Sequence, residues 1–170
     1  MYIPRRLAVA VLLVLVGAGS LALALGASAS HAKGSSQSPV FRSSLAPCIS
    51  GGPTVHGVGP CLDSWSLENG SVRLGQGGSF ELEVEGLVIT ATGTTAPVTG
   101  ISAALFCGAD SNTTPAATTG VVPLSTDGDA SIETTVALPS TCLAPIVVVN
   151  FAKGSTLIST RYIALTGLTT

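Results

Sequence analysis

The sequence predicts an all-β fold, an immunoglobulin-like two-sheet antiparallel sandwich of about seven strands, preceded by a signal peptide and a flexible linker. Three observations indicate it. Segments rich in Val, Ile, Leu and Thr recur from residue 71 onward, separated by segments that contain Gly, Pro, Asp or Asn. No window keeps the i, i+3, i+4 apolar pattern of an amphipathic helix. Four cysteines, an even number, are typical of a small exported domain held by disulfides.

Residues 1–32 have the features of a secretory signal peptide. Arg5 and Arg6 precede a charge-free apolar run from Leu7 to Leu25, and small residues then offer cleavage sites after Ala29 or Ala32. The run is close to the ~20 residues that span a bilayer, so an uncleaved membrane anchor is the alternative. A membrane is an expected partner only in that case.

Residues 33–46 are rich in Ser and poor in apolar residues, which predicts a flexible linker. The remaining residues, 47–170, are long enough for one domain with its own core. That domain opens with PCISGGPTVHGVGPC, a Gly- and Pro-rich stretch that predicts a loop rather than a regular element.

The cysteines are predicted to form disulfides between sequence neighbours, Cys48 with Cys61 and Cys107 with Cys142. A metal site is the rival interpretation. No C-x-x-C motif and no Cys/His spacing supports it, so no metal or other cofactor is expected.

The charge balance does not favour two classes of partner. The chain has seven basic and nine acidic residues, and cleavage of the signal peptide removes Arg5 and Arg6. A mildly acidic chain gives no reason to expect nucleic acid or an anionic membrane surface as partner.

The predicted strands share β-branched or aliphatic residues and short lengths. In chain order they are SVRLG (71–75), SFELEVEG (79–86), LVITA (87–91), ISAALFC (101–107), GVVPL (120–124), ASIETTVAL (130–138), PIVVVNFA (145–152) and TLISTRYIALT (156–166).

The first two strands are predicted to form a hairpin. A three-residue loop, Gln76-Gly77-Gly78, places Leu74 opposite Phe80, whereas a two-residue turn at Gln76-Gly77 would put Arg73 on the apolar face. The first register also pairs Val72 with Leu82 and Arg73 with Glu81. Because side chains alternate in a strand, it predicts a buried row and an exposed acidic row: Phe80, Leu82 and Val84 in the first, Glu81, Glu83 and Glu85 in the second.

Gly86 is predicted to be a β-bulge. The buried positions before it are even-numbered, whereas the strongest apolar residues after it, Leu87 and Ile89, are odd-numbered. Glycine permits the extra residue that changes the phase of a strand.

Two loops contain residues that could carry chemistry. Asp127 and Asp129 flank Gly128 in a spacing also found in calcium loops, but calcium requires six to eight oxygen ligands, so a hairpin turn is the prediction. His56 would have to serve any Ser/His/Asp triad. Because His56 lies in a Gly-rich loop, we expect it to be an ordinary loop residue without a catalytic role.

Trp65 is the single tryptophan of the chain. Its position near Cys61 predicts packing on the disulfide or over an open end of the sandwich. If it were exposed, it would be the best candidate for a contact with a carbohydrate or a protein.

Three segments, VEGLVI, ALFCG and LPSTCLAPIVVV, resemble those of uncharacterised secreted immunoglobulin-like β-sandwich proteins of actinomycete-type bacteria. The resemblance covers roughly residues 65–165. It implies export and a β fold, and it supplies no catalytic residues.

The sequence therefore predicts a secreted or cell-wall-associated module without enzymatic function, which binds an unknown extracellular protein or glycan. A secreted hydrolase that uses acidic residues at the sheet surface is the alternative, favoured if two acids converge in a concave pocket. An exposed apolar patch would instead indicate a partner-binding domain.

Overall fold

Residues 39–167 are described in a computed structural model. The predicted signal peptide, 1–32, and the start of the predicted linker, 33–38, lie outside the described residues. The described part is all-β: it contains no α-helix, and its one 3₁₀ turn, Gln76–Gly78, is too short to cross a membrane. Its strands are β1 (Pro39–Pro47), β2 (Trp65–Ser66), β3 (Asn69–Gly75), β4 (Ser79–Glu85), β5 (Val88–Ile89), β6 (Gly100–Phe106), β7 (Ala117–Thr118), β8 (Val122–Pro123), β9 (Ala130–Thr135), β10 (Ile146–Lys153) and β11 (Thr156–Thr166).

One large antiparallel sheet forms most of the molecule. Its strands follow the order β7-β6-β10-β11-β1-β3-β4-β9, and β8 also pairs with β6. The sheet curls into a half-barrel, and β2 and β5 form a small second sheet. Buried residues from both ends of the curled sheet, such as Leu82 and Leu105, belong to one hydrophobic core.

Strand β1 lies in the middle of the large sheet and joins its two halves. Its first part pairs with β3, and its last residues, Leu45 to Pro47, pair with β11. The prediction of a flexible linker through residue 46 was therefore wrong for residues 39–46. Phe41 and Leu45 are an even number of residues apart, so both side chains pack toward the core, and the exposed positions between them are suited to polar residues.

The predicted hairpin of β3 and β4 is confirmed in its register. Leu74 pairs with Phe80, Val72 with Leu82 and Arg73 with Glu81. Gly77 and Gly78 both have positive φ angles, 80° and 87°, as a tight glycine loop requires. Along β4 burial alternates: the even-numbered apolar side chains are buried and the glutamates at 81, 83 and 85 are exposed.

At Gly86 the predicted change of phase is present, but its cause differs from a bulge. Leu87 and Ile89 are buried and Val88 is half-buried. Strand β4 ends at Glu85, and Gly86, with φ of 63°, turns the chain so that β5 pairs with β2 instead. The burial of the odd-numbered residues after Gly86 therefore follows the alternation of the small β2–β5 sheet, not that of the large sheet.

The turn at Asp127-Gly128-Asp129 is confirmed, whereas the predicted hairpin around it is wrong. Strand β8 pairs with β6 and β9 pairs with β4, so the turn carries the chain between two parts of the large sheet. Asp129 accepts a hydrogen bond from the Gly86 N–H at 3.0 Å. Gly128 O accepts another from the Leu87 N–H at 3.0 Å. The turn thus packs against the Gly86 crossing.

Both predicted disulfides, Cys48–Cys61 and Cys107–Cys142, are confirmed, with Cα–Cα distances of 6.0 and 5.0 Å. The first closes the segment 49–60, which we call the cover loop. The cover loop hydrogen-bonds along β11: Tyr162 Oη donates to Pro53 O at 2.8 Å, and Arg161 Nη1 donates to Pro60 O at 2.7 Å.

His56 anchors the cover loop. Its ring is 1% exposed and stacks on Phe106 of β6, with ring centroids 4.8 Å apart. Its Nδ1 lies 2.7 Å from Asn112 O, and its backbone N–H donates to Asp110. Because a carbonyl oxygen only accepts, Nδ1 carries the proton, and Nε2 is buried without a partner among the described residues. His56 is thus a buried packing residue, not the ordinary loop residue that was predicted.

Candidate binding cleft

A cleft of about 590 Å³ lies at the end of the β3–β4 hairpin. Its size falls within the range of about 300–1,000 Å³ that is typical of protein ligand sites. None of its lining residues carries a charge, and most are apolar: Val40, Phe41, Leu74, Gly75, Gln76, Gly77, Gly78, Val136, Ala137, Leu138, Pro139, Ser140, Cys142 and Pro145.

The hairpin loop shapes one side of the cleft. Gly78 O accepts a hydrogen bond from the Val136 N–H at 2.9 Å, just after the end of β9. A Cβ atom at residue 78 would collide with the carbonyl oxygen of Val136, so only glycine allows the two backbones to approach this closely. The contact continues the alignment of β4 and β9 to the rim of the cleft.

The opposite side is the segment 137–145, which we call the cleft wall. Pro139 and Pro145 cannot donate to a strand ladder, so the wall is irregular. Two attachments hold it within the described structure: the Cys107–Cys142 disulfide, and a hydrogen bond of 2.6 Å from Gly108 N–H to Leu143 O. Among the described contacts, the remaining backbone groups of residues 137–144 have no hydrogen-bond partner.

Apolar side chains extend beyond the cleft. Val40 at its edge is 57% exposed, and Leu143 in the cleft wall is 70% exposed. Apolar side chains grouped around a cleft indicate a contact site rather than the scattered apolar residues of an ordinary surface.

The acidic row lines a second, smaller depression of about 260 Å³. Glu81 and Glu83 line it with Glu133 of β9, and the side chain of Glu81 is 59% exposed. Glu81 lies opposite Glu133 on one side and opposite Arg73 on the other, with Arg73 Nη1 3.7 Å from Glu81 Oε2. These carboxylates are exposed to solvent, as the hairpin register predicts.

The other residues considered in the sequence do not form a site. Trp65 is 7% exposed and belongs to the core, which confirms its predicted packing role and leaves little of the indole for a ligand. Within residues 39–167 no three His, Cys, Asp or Glu side chains are grouped so that they could hold a metal ion.

The cleft was not predicted. Val40 and Phe41 lie in the segment expected to be a linker, and Leu138 was placed in a strand that in fact ends at Thr135. One signal was available: in LPSTCLAP, two prolines flank a cysteine, and such a segment leaves backbone groups unpaired beside apolar side chains.

The chain matches no protein-family model, and searches of curated proteins and of solved structures returned no match either.

Proposed function

We propose that this protein is an exported, non-enzymatic binding module whose cleft takes an extended, uncharged, apolar peptide segment of a partner protein. The observation that carries the proposal is an uncharged, mostly apolar cleft beside a wall in which, among the described contacts, only the Leu143 carbonyl has a backbone hydrogen bond.

The chemistry of the cleft selects its occupant. A charged ligand group would lose water there without meeting an opposite charge, which costs several kcal/mol. An extended peptide can supply apolar side chains to the cleft and backbone N–H and C=O groups to the wall, which is how many domains bind extended segments. A glycan is the poorer fit, because Phe41 is the one aromatic side chain of the lining.

The two disulfides indicate an oxidising, extracellular-type environment. Together with the signal peptide expected at residues 1–32, they support export and a secreted or cell-wall location. The resemblance to secreted actinomycete-type proteins stays a prediction.

The fold is proposed to be a variant of the immunoglobulin arrangement. Strands β6, β10 and β11 neighbour one another in the order of strands C, F and G, and β4 pairs with β9 as B pairs with E. The variant has β3 inserted between β1 and β4, where an immunoglobulin domain pairs A directly with B.

Selection from a phage-displayed peptide library against the full chain, with disulfides formed, tests the function. We expect enriched peptides without charges and with apolar residues at alternate positions. Leu138→Asp, in the cleft wall, should lower their affinity at least about tenfold. Val121→Asp is the matched control, because Val121 is also apolar and 49% exposed but lies outside the cleft lining.

Two outcomes would contradict the proposal. One is enrichment that Leu138→Asp does not change. The other is the absence of enriched peptides together with Leu138-dependent binding of N-phenyl-1-naphthylamine, a neutral fluorescent hydrocarbon probe, which would assign the cleft to small apolar molecules.

A secreted hydrolase is the second candidate, favoured by the position of Glu81 directly opposite Glu133 in the smaller depression. Directly opposed residues of antiparallel strands have Cβ atoms about 4.5–5.5 Å apart, which is close to the separation of about 5–5.5 Å between the carboxyl groups of a retaining glycosidase. The double change Glu81→Gln and Glu133→Gln should leave the protein folded and abolish hydrolysis of a polysaccharide panel by the full chain. No hydrolysis by the unaltered chain would eliminate this candidate.

A further inference from the structure

The exposed face of strands β1, β3, β4 and β9 is divided by charge along its length. One row of directly paired residues runs across all four strands: Arg42, Arg73, Glu81 and Glu133. All four side chains are exposed. The row therefore begins with two cations, on β1 and β3, and ends with two carboxylates, on β4 and β9.

The neighbouring rows follow the same division at the boundary between β3 and β4. In the second row, Ser44 on β1 and Ser71 on β3 are followed by Glu83 on β4 and then by the uncharged Ser131 on β9. In the third row, Asn69 on β3 lies opposite Glu85 on β4. Hydrogen-bond donors thus occupy the β1–β3 half of the face, and acceptor-only carboxylates occupy the β4 side of the same boundary.

This division is self-complementary. Adjacent strands lie about 4.8 Å apart, so the four charges of the first row are evenly spaced across the face. Consider a second copy laid face to face on the first, related to it by a two-fold axis between the two faces. If this axis runs parallel to the strands and above the boundary between β3 and β4, it places β3 of one copy over β4 of the other and β1 over β9. Each cation of the first row then lies over a carboxylate of the other copy.

We propose that this face binds a second copy of the chain in an isologous, face-to-face dimer. Arg73 of each copy lies over Glu81 of the other, and Arg42 lies over Glu133. Since Arg73 and Glu81 already pair within one chain, the two copies together form a ring of four alternating charges.

The other rows contribute hydrogen bonds under the same axis. Ser71 of each copy lies over Glu83 of the other, and Asn69 lies over Glu85. Ser71 is short and lines the depression that Glu83 also borders. A longer carboxylate side chain from the second copy therefore has space above the serine.

The small area and the polarity of the face indicate how strong the dimer is. Four strands of about seven residues present roughly 20 by 20 Å, or about 400 Å² from each copy, which is below the area of a standard stable interface. The interface is also polar, and exposed ion pairs are screened by salt. The dimer is therefore weak, with a Kd on the order of 0.1–1 mM at low salt, and it dissociates as salt is added.

Sedimentation velocity of the full chain tests this inference, which is independent of the cleft. At about 50 mM salt we expect a concentration-dependent dimer that disappears at about 500 mM. Arg73→Glu and Glu81→Arg should each be monomeric, because each places like charges over one another in the homodimer. An equimolar mixture of the two variants should dimerise again. The carboxylate introduced by the first change then lies over the guanidinium introduced by the second, and the unaltered Arg73 and Glu81 also face each other.

Lys153→Glu is the matched control: it makes the same change of charge on an exposed residue outside this face and should leave dimerisation unchanged. Fluorescence of Trp65 verifies that each variant is folded. The proposal is overturned if the unaltered chain stays monomeric at low salt up to about 1 mM, or if the mixture of variants does not associate.

Discussion

The cover loop, 49–60, and the cleft wall, 137–145, differ sharply although both are irregular segments attached by a disulfide. The cover loop places a buried histidine on an aromatic ring and hydrogen-bonds repeatedly to β11. Within the described residues the cleft wall has one backbone hydrogen bond besides its disulfide, and a cleft lies beside it. A disulfide limits where a segment can go, and the contacts of the segment decide whether it becomes core or contact surface.

The largest difference is expected when each disulfide is removed. Ring size alone gives about 3 kcal/mol for Cys48–Cys61 and about 4 kcal/mol for Cys107–Cys142. We expect the opposite order. Removing the first disulfide by alanine replacement should lower the free energy of unfolding by about 3–5 kcal/mol, because both cysteines are buried. Removing the second should lower it by about 1–2 kcal/mol, because the cleft wall then gains freedom in the folded state.

Urea unfolding followed by Trp65 fluorescence measures both changes. If the Cys107–Cys142 pair proves the more costly to remove, the cleft wall is held by contacts as firmly as the cover loop, and the comparison fails.

His56→Ala should lower the free energy of unfolding by about 2–3 kcal/mol. The change leaves a cavity over Phe106 and removes the Nδ1–H bond to Asn112 O. Thr54→Ala, at an exposed position of the same loop, is the control and should change stability by less than about 0.5 kcal/mol. Equal effects of the two changes in thermal unfolding would show that the stacked ring is not what anchors the loop.

Tyr162 makes the cover loop sensitive to alkaline pH. Burial raises the pKa of its phenol above the usual value, so the folded state disfavours the phenolate. Stability is full below the unfolded pKa of about 10 and falls as the pH rises above it. Tyr162→Phe should cost about 1 kcal/mol at neutral pH through the lost bond to Pro53 O and should reduce the alkaline decline. Denaturant titrations between about pH 8 and pH 11 measure both effects, and an unchanged alkaline decline in the variant would contradict the assignment.

The smallest effect is expected in the cleft wall itself. Leu143→Ser should change the free energy of unfolding by less than about 0.5 kcal/mol, because this side chain is exposed. Hydrogen exchange sharpens the contrast: amides of residues 137–144 should exchange fast, and the amide of Val58, bonded to Val55 O, should exchange slowly. Comparable protection in the two segments would contradict it.

Much of the sheet could be predicted because alternation is a local property. Phe80, Leu82 and Val84 identify the buried side of β4, and one aligned pair with β3 determines the register of the hairpin. The exposed acidic row follows from the same alternation. Cysteine pairing was predictable because each bond joins neighbouring cysteines.

What could not be predicted depends on contacts between distant residues. His56 is buried because Phe106 and Asn112 lie beneath the cover loop, and nothing near His56 in the sequence indicates them. The change at Gly86 could be read as a change of phase, but the partner of β5 is a two-residue strand too short to leave a pattern. The cleft arises where the hairpin loop, β1 and the cleft wall meet.

The position of β1 has a consequence for the order in which the chain folds. Its N-terminal part pairs with β3, but Leu45 pairs with Thr166, at the far end of β11. Closing the sheet at β1 must therefore wait until β11 is available, and such non-local pairing makes folding slow. If the protein is exported as proposed above, the late closure of the sheet would help to keep the chain unfolded while it crosses the membrane. Strand β1, which joins the two halves of the sheet, would then also delay folding until the chain has been exported.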